Sequence, residues 1–252
     1  MKTPLSLLAI FLAAAFARAG PPFVTDDPEP VDYQHWEIDL GSQTQHGPDG
    51  ASGTIPHLEL NYGLLPNLQV HLIAPEAFAA AGGGSRHFGY GDTELGIKYR
   101  LFQGSDSLPE IAAFPLVELP TGSAARGLGT GRTQLYLPLW LQRSSGSWTA
   151  YGGGGYWIHP GAGNRNYWFS GAVLQKQALP NLALGVEIFA ESPQATHGRS
   201  TVQSNLGETW DINEHWHILA SAGPSISGPK GYETYLAIQL TFGPAKIDTN
   251  TM

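Results

Sequence analysis

The stretch GDTELGIKYRLF, residues 91–102, alternates without a break: Asp92, Glu94, Lys98 and Arg100 share one parity with Gly96, and Thr93, Leu95, Ile97, Tyr99 and Leu101 share the other. Side chains of a β-strand point to opposite faces with a period of two, so one face of this segment is apolar and the other charged. NLALGVEIFAE repeats the pattern, with Leu182, Leu184, Val186, Ile188 and Ala190 against Glu187 and Glu191. So does ETYLAIQLTF, with Leu236, Ile238, Leu240 and Phe242 against Glu233, Tyr235, Gln239 and Thr241. TQLYLPLWLQ sets Leu135, Leu137, Leu139 and Leu141 against Gln134, Tyr136, Pro138 and Trp140.

About twelve segments of roughly ten residues carry this alternation, the length of a transmembrane β-strand. Their spans are 35–44, 54–63, 67–75, 90–102, 109–119, 132–142, 147–158, 166–177, 181–191, 201–212, 215–224 and 232–242. The connections fall into two alternating sets. GLLPN, RSSGS, ALPN and NEH are tight, and QGSDSL is a little longer. QTQHGPDGASG, PEAFAAAGGGSRHFGYG, PTGSAARGLGTG, HPGAGNRN, SPQATHGRS and SISGPKG are longer and richer in glycine. Short turns on one rim and long loops on the other predict an all-β, antiparallel up-and-down transmembrane β-barrel, with both ends of the chain on the short-turn, periplasmic side. Trp36, Trp148 and Trp216 open segments while Tyr62 and Phe242 close them, the places an interfacial girdle of aromatic rings occupies.

Four parts are expected: a secretory signal peptide over residues 1–19, an acidic proline-rich segment over 20–34, the barrel over 35–242 and a tail over 243–252. Lys2, the apolar stretch Leu5–Phe16 and the small residues Ala17 and Ala19 have the layout of a cleaved leader too short to span a bilayer, and so predict export to the outer membrane. Zero cysteines exclude a disulfide scaffold and thiolate chemistry. With 13 basic residues against 21 acidic, nucleic acid is not an expected partner. The 32 glycines and 19 prolines leave poor ground for long helices.

GPPFVTDDPEPV, GDTELGIKYRLF, FPLVELPTG, LPLWLQ with GSWTAYGGGGYW, and NYWFSGAVLQ together resemble a family of bacterial outer-membrane barrels named as transporters of the meta-pathway of phenol degradation. The resemblance runs from about Gly20 to Phe242. It implies passage of small apolar or aromatic compounds and carries no catalytic or binding residues over. Barrels of this kind usually finish on an aromatic residue read by the assembly machinery, a second expected partner; here GPAKIDTNTM follows Phe242.

The polar parity places Glu37, Asp39, His57, Glu59, Asp92, Glu94, Lys98, Arg100, Glu110, Glu118, Glu187, Glu191 and Glu233 in the lumen, with Asp92, Glu94, Lys98 and Arg100 expected to shape it. Eight-stranded barrels are filled by side chains and sixteen-stranded ones leave a channel, so about twelve strands allow either a hydrated path or a plug. The acids of the leader, Asp26, Asp27, Glu29 and Asp32, allow a solvated leader, a small lid at the lumen mouth or a calcium site, which needs about six to eight oxygen ligands. Arg86, Arg126, Arg132, Arg165, Arg199 and Lys230 lie in the longer loops, where lipopolysaccharide phosphates would meet them, beside the outer-membrane lipid.

Neither AAAGGGSRHFGYGD nor YGGGGYW has the Lys-Ser/Thr of a phosphate-binding loop, and the second reads as strand glycines that give bending or room. His215 and His217 share a face but lack a third ligand, so no metal is expected and the pair reads as a solvated rim. No cofactor and no enzymatic activity are expected, since G-x-S-x-G is absent. Three alternatives to a transporter stay open: a closed-lumen structural or adhesive barrel, a barrel enzyme acting on lipids, and a soluble periplasmic β-sandwich.

Overall fold

The alternating segments fold as strands that pair with their neighbours in chain order and then close on themselves. Residues 22–82, 84–105 and 107–244 are described, from a computed structural model; the expected signal peptide and the tail beyond residue 244 lie outside them. The strands are β1 (Trp36–Gly47), β2 (Gly50–Leu65), β3 (Leu68–Ala81), β4 (Arg86–Tyr90), β5 (Thr93–Phe102), β6 (Glu110–Ala113), β7 (Leu116–Leu119), β8 (Gln134–Ser145), β9 (Trp148–Ile158), β10 (Tyr167–Leu179), β11 (Leu182–Glu191), β12 (Thr201–Asp211), β13 (Trp216–Ser227) and β14 (Tyr232–Phe242). β4 with β5, and β6 with β7, each form one interrupted stave, so the wall is a closed antiparallel barrel of 12 strands. β1 pairs with β14 from Trp36↔Phe242 to His46↔Tyr232, which removes both sheet edges.

The faces are inverted relative to a water-soluble protein. Leu139, Leu184, Ile188, Leu236 and Ile238 stand exposed on the outside, while Lys98, Glu187, Asn205, His217 and Gln239 are buried within. An outer leucine band around a polar interior suits lipid outside, and it disposes of the soluble sandwich alternative. Trp36 packs on Tyr62 with ring centroids 4.5 Å apart and lies opposite Phe242 in register. With Trp148 and Trp216, also exposed at strand starts, these rings girdle the short-turn rim.

Two of the long loops are not loops. β1 and β2 run on through QTQHGPDGASG to turn only at Pro48 and Asp49, with Thr44 Oγ1 2.7 Å from Thr234 Oγ1. β3 and β4 likewise form a hairpin arm, pairing Glu76↔Tyr90 through Ala80↔Arg86. The run AFAAA, residues 77–81, hides this from an alternation test because its four alanines give little contrast between faces. The β7–β8 connection is a true loop, holding a short 3-10 turn over Ala124–Arg126 and the buried Leu128.

Placing a cation on the outer band tests the inversion directly. Leu139→Arg should destabilise the barrel by about 2–4 kcal/mol, the cost of arginine near the bilayer midplane, seen as a lower urea midpoint in vesicles. An unchanged midpoint would mean that this face does not meet lipid.

Candidate functional site

The acidic leader does not trail in solvent. Residues 22–35 cross the lumen as a strap, with Pro22, Thr25 and Pro28 among the most buried residues of the chain. Ser221 donates to the Pro22 carbonyl at 2.5 Å, and the Thr25 amide donates to Glu187 Oε1 at 2.6 Å. Val31 donates to Gln69 Oε1 at 2.8 Å, Gln142 donates to Glu29, and Gln34 donates to the Gly63 carbonyl at 2.7 Å beside the short-turn rim. Lys98 Nζ lies 3.1 Å from Asp26 and 3.7 Å from Asp27. A solvated leader is therefore ruled out, because Lys98, buried inside the barrel, takes its counter-charges from the strap. Among the described residues no group of three or more His, Cys, Asp or Glu side chains is placed to hold a metal ion.

Four lumen glycines seat the strap. A β-carbon at Gly171 would collide with Thr25, and one at Gly63 with the Asp32 carbonyl. At Gly185 and Gly207 it would press on the Phe23 ring, at 2.9 and 2.6 Å. These four positions were silent in the sequence, because a seat made of missing side chains leaves no motif.

Glu37, Asp39, His57, Glu59, Asp92, Glu94, Lys98, Arg100, Glu110, Glu118, Glu191 and Glu233 all border one cavity of about 1120 Å³, as do Asp26, Asp27, Glu29 and Asp32 of the strap. Glu187 is inside the barrel but wholly enclosed, bonded to Thr25 and, at 2.7 Å, to Asn205 Nδ2. The four residues expected to shape the lumen do different things. Arg100 pairs with Glu110 at 3.1 Å, and Glu94 accepts from His71 at 3.0 Å. Asp92 sits between β4 and β5 and accepts from the amides of Gly122 and Thr130, at 2.9 and 2.6 Å, so it holds the β7–β8 loop. Lys98 anchors the strap.

Most of the remaining acids are held by neutral amides. Asn61 donates to Glu37 and Glu59 at 3.2 and 2.8 Å, Gln134 to Glu118, and Gln43 and Gln203 to Glu233 at 2.7 and 3.1 Å. His57 bonds Thr54 at 2.7 Å and stacks on Tyr235. His217 is not a solvated rim residue: it is buried, with Nδ1 2.7 Å from Asp211 and Nε2 3.0 Å from Thr241. His215 is its exposed neighbour.

Parity counting over acids missed the opposite wall. Phe114, Tyr136, Trp140, Phe169 and Phe189 form a buried cluster with Val24 of the strap, Leu116 and Trp157 packed against it. Tyr136 stacks on Trp157 at 4.6 Å, and Phe169 on Phe189 at 5.5 Å. The available signal was aromatic residues on the polar parity, Tyr136 and Trp140 against the leucines of β8. The cavity therefore lies between a carboxylate wall, mainly β1–β5 and β14, and an aromatic wall on β7–β11, and it touches both rims, from Trp36, Gln177 and Asp211 to Glu118, Tyr167 and Glu191.

Three solved structures share this architecture. The COG4313 outer membrane channel from Pseudomonas putida F1 matches with TM-score 0.69 and 15% identity, over 86% of this chain and 98% of that one. The KdgM porin in complex with disordered oligogalacturonate matches with TM-score 0.58 and 12% identity, over 82% and 99%. The NanC porin matches with TM-score 0.56 and 6% identity, over 81% and 98%. At such identities the likeness establishes the fold, that of outer-membrane barrels. No protein-family model and no curated protein matches the sequence.

If Lys98 holds the strap, Lys98→Met leaves Asp26 and Asp27 without a cation, and breaking a buried pair costs about 3–5 kcal/mol. A cysteine introduced by Thr25→Cys is unique in this chain. Its labelling by a charged maleimide should speed up at least tenfold in the Lys98→Met background; equal rates would show that the strap is held without Lys98.

Proposed function

We propose that this chain is an outer-membrane channel for small apolar or aromatic solutes, with the strap as its internal obstruction. The observation that carries the reading is the cavity of about 1120 Å³ that reaches both rims and is walled on one side by aromatic rings. Pockets of roughly 300–1,000 Å³ accommodate drug-sized ligands, so a phenol-sized molecule fits with water to spare. Aromatic faces favour ring solutes in offset or edge-on contact. The similar structures are by name a channel and two porins, which supports passage as the role. The phenol-degradation resemblance supports the aromatic class of solute.

The same reading takes residues 1–19 as the export signal, the outer membrane as the location, and the barrel assembly machinery and lipopolysaccharide as partners. A lumen crossed by Pro22–His35 also suits a closed barrel with a structural role. Flux separates the two. In liposomes, deletion of residues 22–32 should raise phenol flux several-fold over the intact chain, and cells carrying the intact chain should take up phenolics faster than cells without it. Equal uptake by both strains, with no flux from either protein, would replace the channel with the closed barrel.

A further inference from the structure

The register of β1 against β2 sets Asp39 directly opposite Glu59, with Glu37 opposite Asn61 two residues along the same lumen face. Like charges directly opposite on an antiparallel pair repel. Asp39 is 3% exposed, so little water screens the repulsion. Asn61 donates to Glu37 and Glu59 at 3.2 and 2.8 Å, whereas Asp39 Oδ1 is buried without a hydrogen-bond partner. On the other side of Asp39 stands Gln239, 0% exposed, its neutral amide close to the carboxylate but with neither amide atom in full hydrogen-bonding geometry. A buried acceptor of this kind destabilises the fold unless a donor reaches it. Asp39, Glu59 and Gln239 all border the cavity.

His71 Nδ1 lies 3.6 Å from Glu59, but no lysine or arginine pairs with Asp39 among the described residues. Lys98 is committed to Asp26 and Asp27, and Arg100 to Glu110. Gln239 beside Asp39 is neutral, so a donor that also offsets the charge of the carboxylate pair comes from outside the chain. An inorganic metal ion does not suit, because among the described residues no three His, Cys, Asp or Glu side chains converge closely enough to ligate one. An organic ammonium does: it is a cation with up to three N–H donors and no acceptor, and it needs no full shell of ligands. Its carbon part meets rings, since His57 and Tyr235 stack beside the pair at 6.0 Å and the aromatic wall lies across the cavity. Lys98 shows the arrangement within the same lumen, its ammonium 3.1 Å from Asp26 and 5.0 Å from the centre of the Phe114 ring.

We infer that Asp39, Glu59 and Gln239 form a binding site for an organic ammonium ion bearing an apolar or aromatic group. Its biological use rests on the channel reading above, as a preference for amines among the solutes admitted; its occupancy does not.

Benzylammonium, benzyl alcohol and benzoate share a ring and differ in charge, so calorimetric titration of each into the detergent-folded full chain isolates the contribution of charge. Saturable binding of benzylammonium at least tenfold tighter than benzyl alcohol, none of benzoate, and at least tenfold weaker amine binding in Asp39→Asn and Glu59→Gln are the expected results. Both variants relieve repulsion and should keep heat-modifiable migration on gels, and the comparison of the three ligands needs no variant. Benzyl alcohol binding as tightly as the amine, or amine affinity unchanged in both variants, overturns the inference. Liposome flux is read separately: amine binding without flux of any solute removes the channel and keeps the site, and flux of phenol without amine preference does the reverse.

Discussion

A wall that faces lipid has to satisfy its backbone groups from within the barrel, and the closure of the sheet follows from meeting that demand. The eleven residue pairs between β1 and β14 complete the ladder, and closure then fixes which parity points in. Pairing lapses at several bulges, among them Gly41/Gln43 and Thr54/His57, and one further lapse is built around prolines. β6 and β7 are parted by Phe114 and Pro115, next to Pro138 of β8, and neither proline has an N–H to give. The one-way bonds that remain run from Phe114 to the Pro138 carbonyl at 3.4 Å and from Ile97 to the Pro115 carbonyl at 3.2 Å. Side-chain packing takes over there. Phe114 is buried, edge-on to His71 at 5.3 Å and beneath the Lys98 ammonium.

Inside the wall the difficulty is charge rather than pairing. Carboxylates outnumber cations in the lumen, and attraction alone cannot hold such a set together in a medium less polar than water. Amide donors solve part of it, because Asn61, Gln134, Gln43, Gln203 and Asn205 each satisfy a carboxylate oxygen without adding charge. The strap solves another part by supplying carboxylates to Lys98 and a backbone N–H to Glu187. Withdrawing it exposes both groups at once, so the strap completes the polar interior as well as obstructing it. Any route for solutes has to work against, or around, a segment that the barrel uses as a structural member.

Strand positions were the most legible part of the sequence, because a period of two is imposed by the chain itself. The segment expected over 232–242 is β14 residue for residue, and that over 181–191 differs from β11 by a single position. Legibility failed where the physics is non-local or carried by absence. The strap has no periodicity of its own, and Ser221, which holds its first described carbonyl, is 199 residues away. Read alone, four acids among prolines look like solvated chain; their burial depends on Lys98, whose partner no local pattern reveals. His217 was misjudged for the same reason, since Asp211 and Thr241 come to it from the preceding and following strands.

The run YGGGGYW shows why space remains in a barrel of this size. Gly153 faces the lumen between Trp140 on β8 and Gly171 on β10, and Gly155 between Pro138 and Phe169. A β-carbon at Gly153 would stand 3.0 Å from Trp140 Cε3, and one at Gly155 2.7 Å from Tyr136 Cε2. Large rings from the flanking staves therefore lie over β9 instead of projecting across the lumen, and the volume they leave becomes cavity. The rings consequently form one continuous apolar wall, which faces the carboxylates of β1 and β2 across the strap. On the proposed channel role a solute would meet both walls at once, which is the physical ground for inferring a ring-bearing ammonium ion as the occupant.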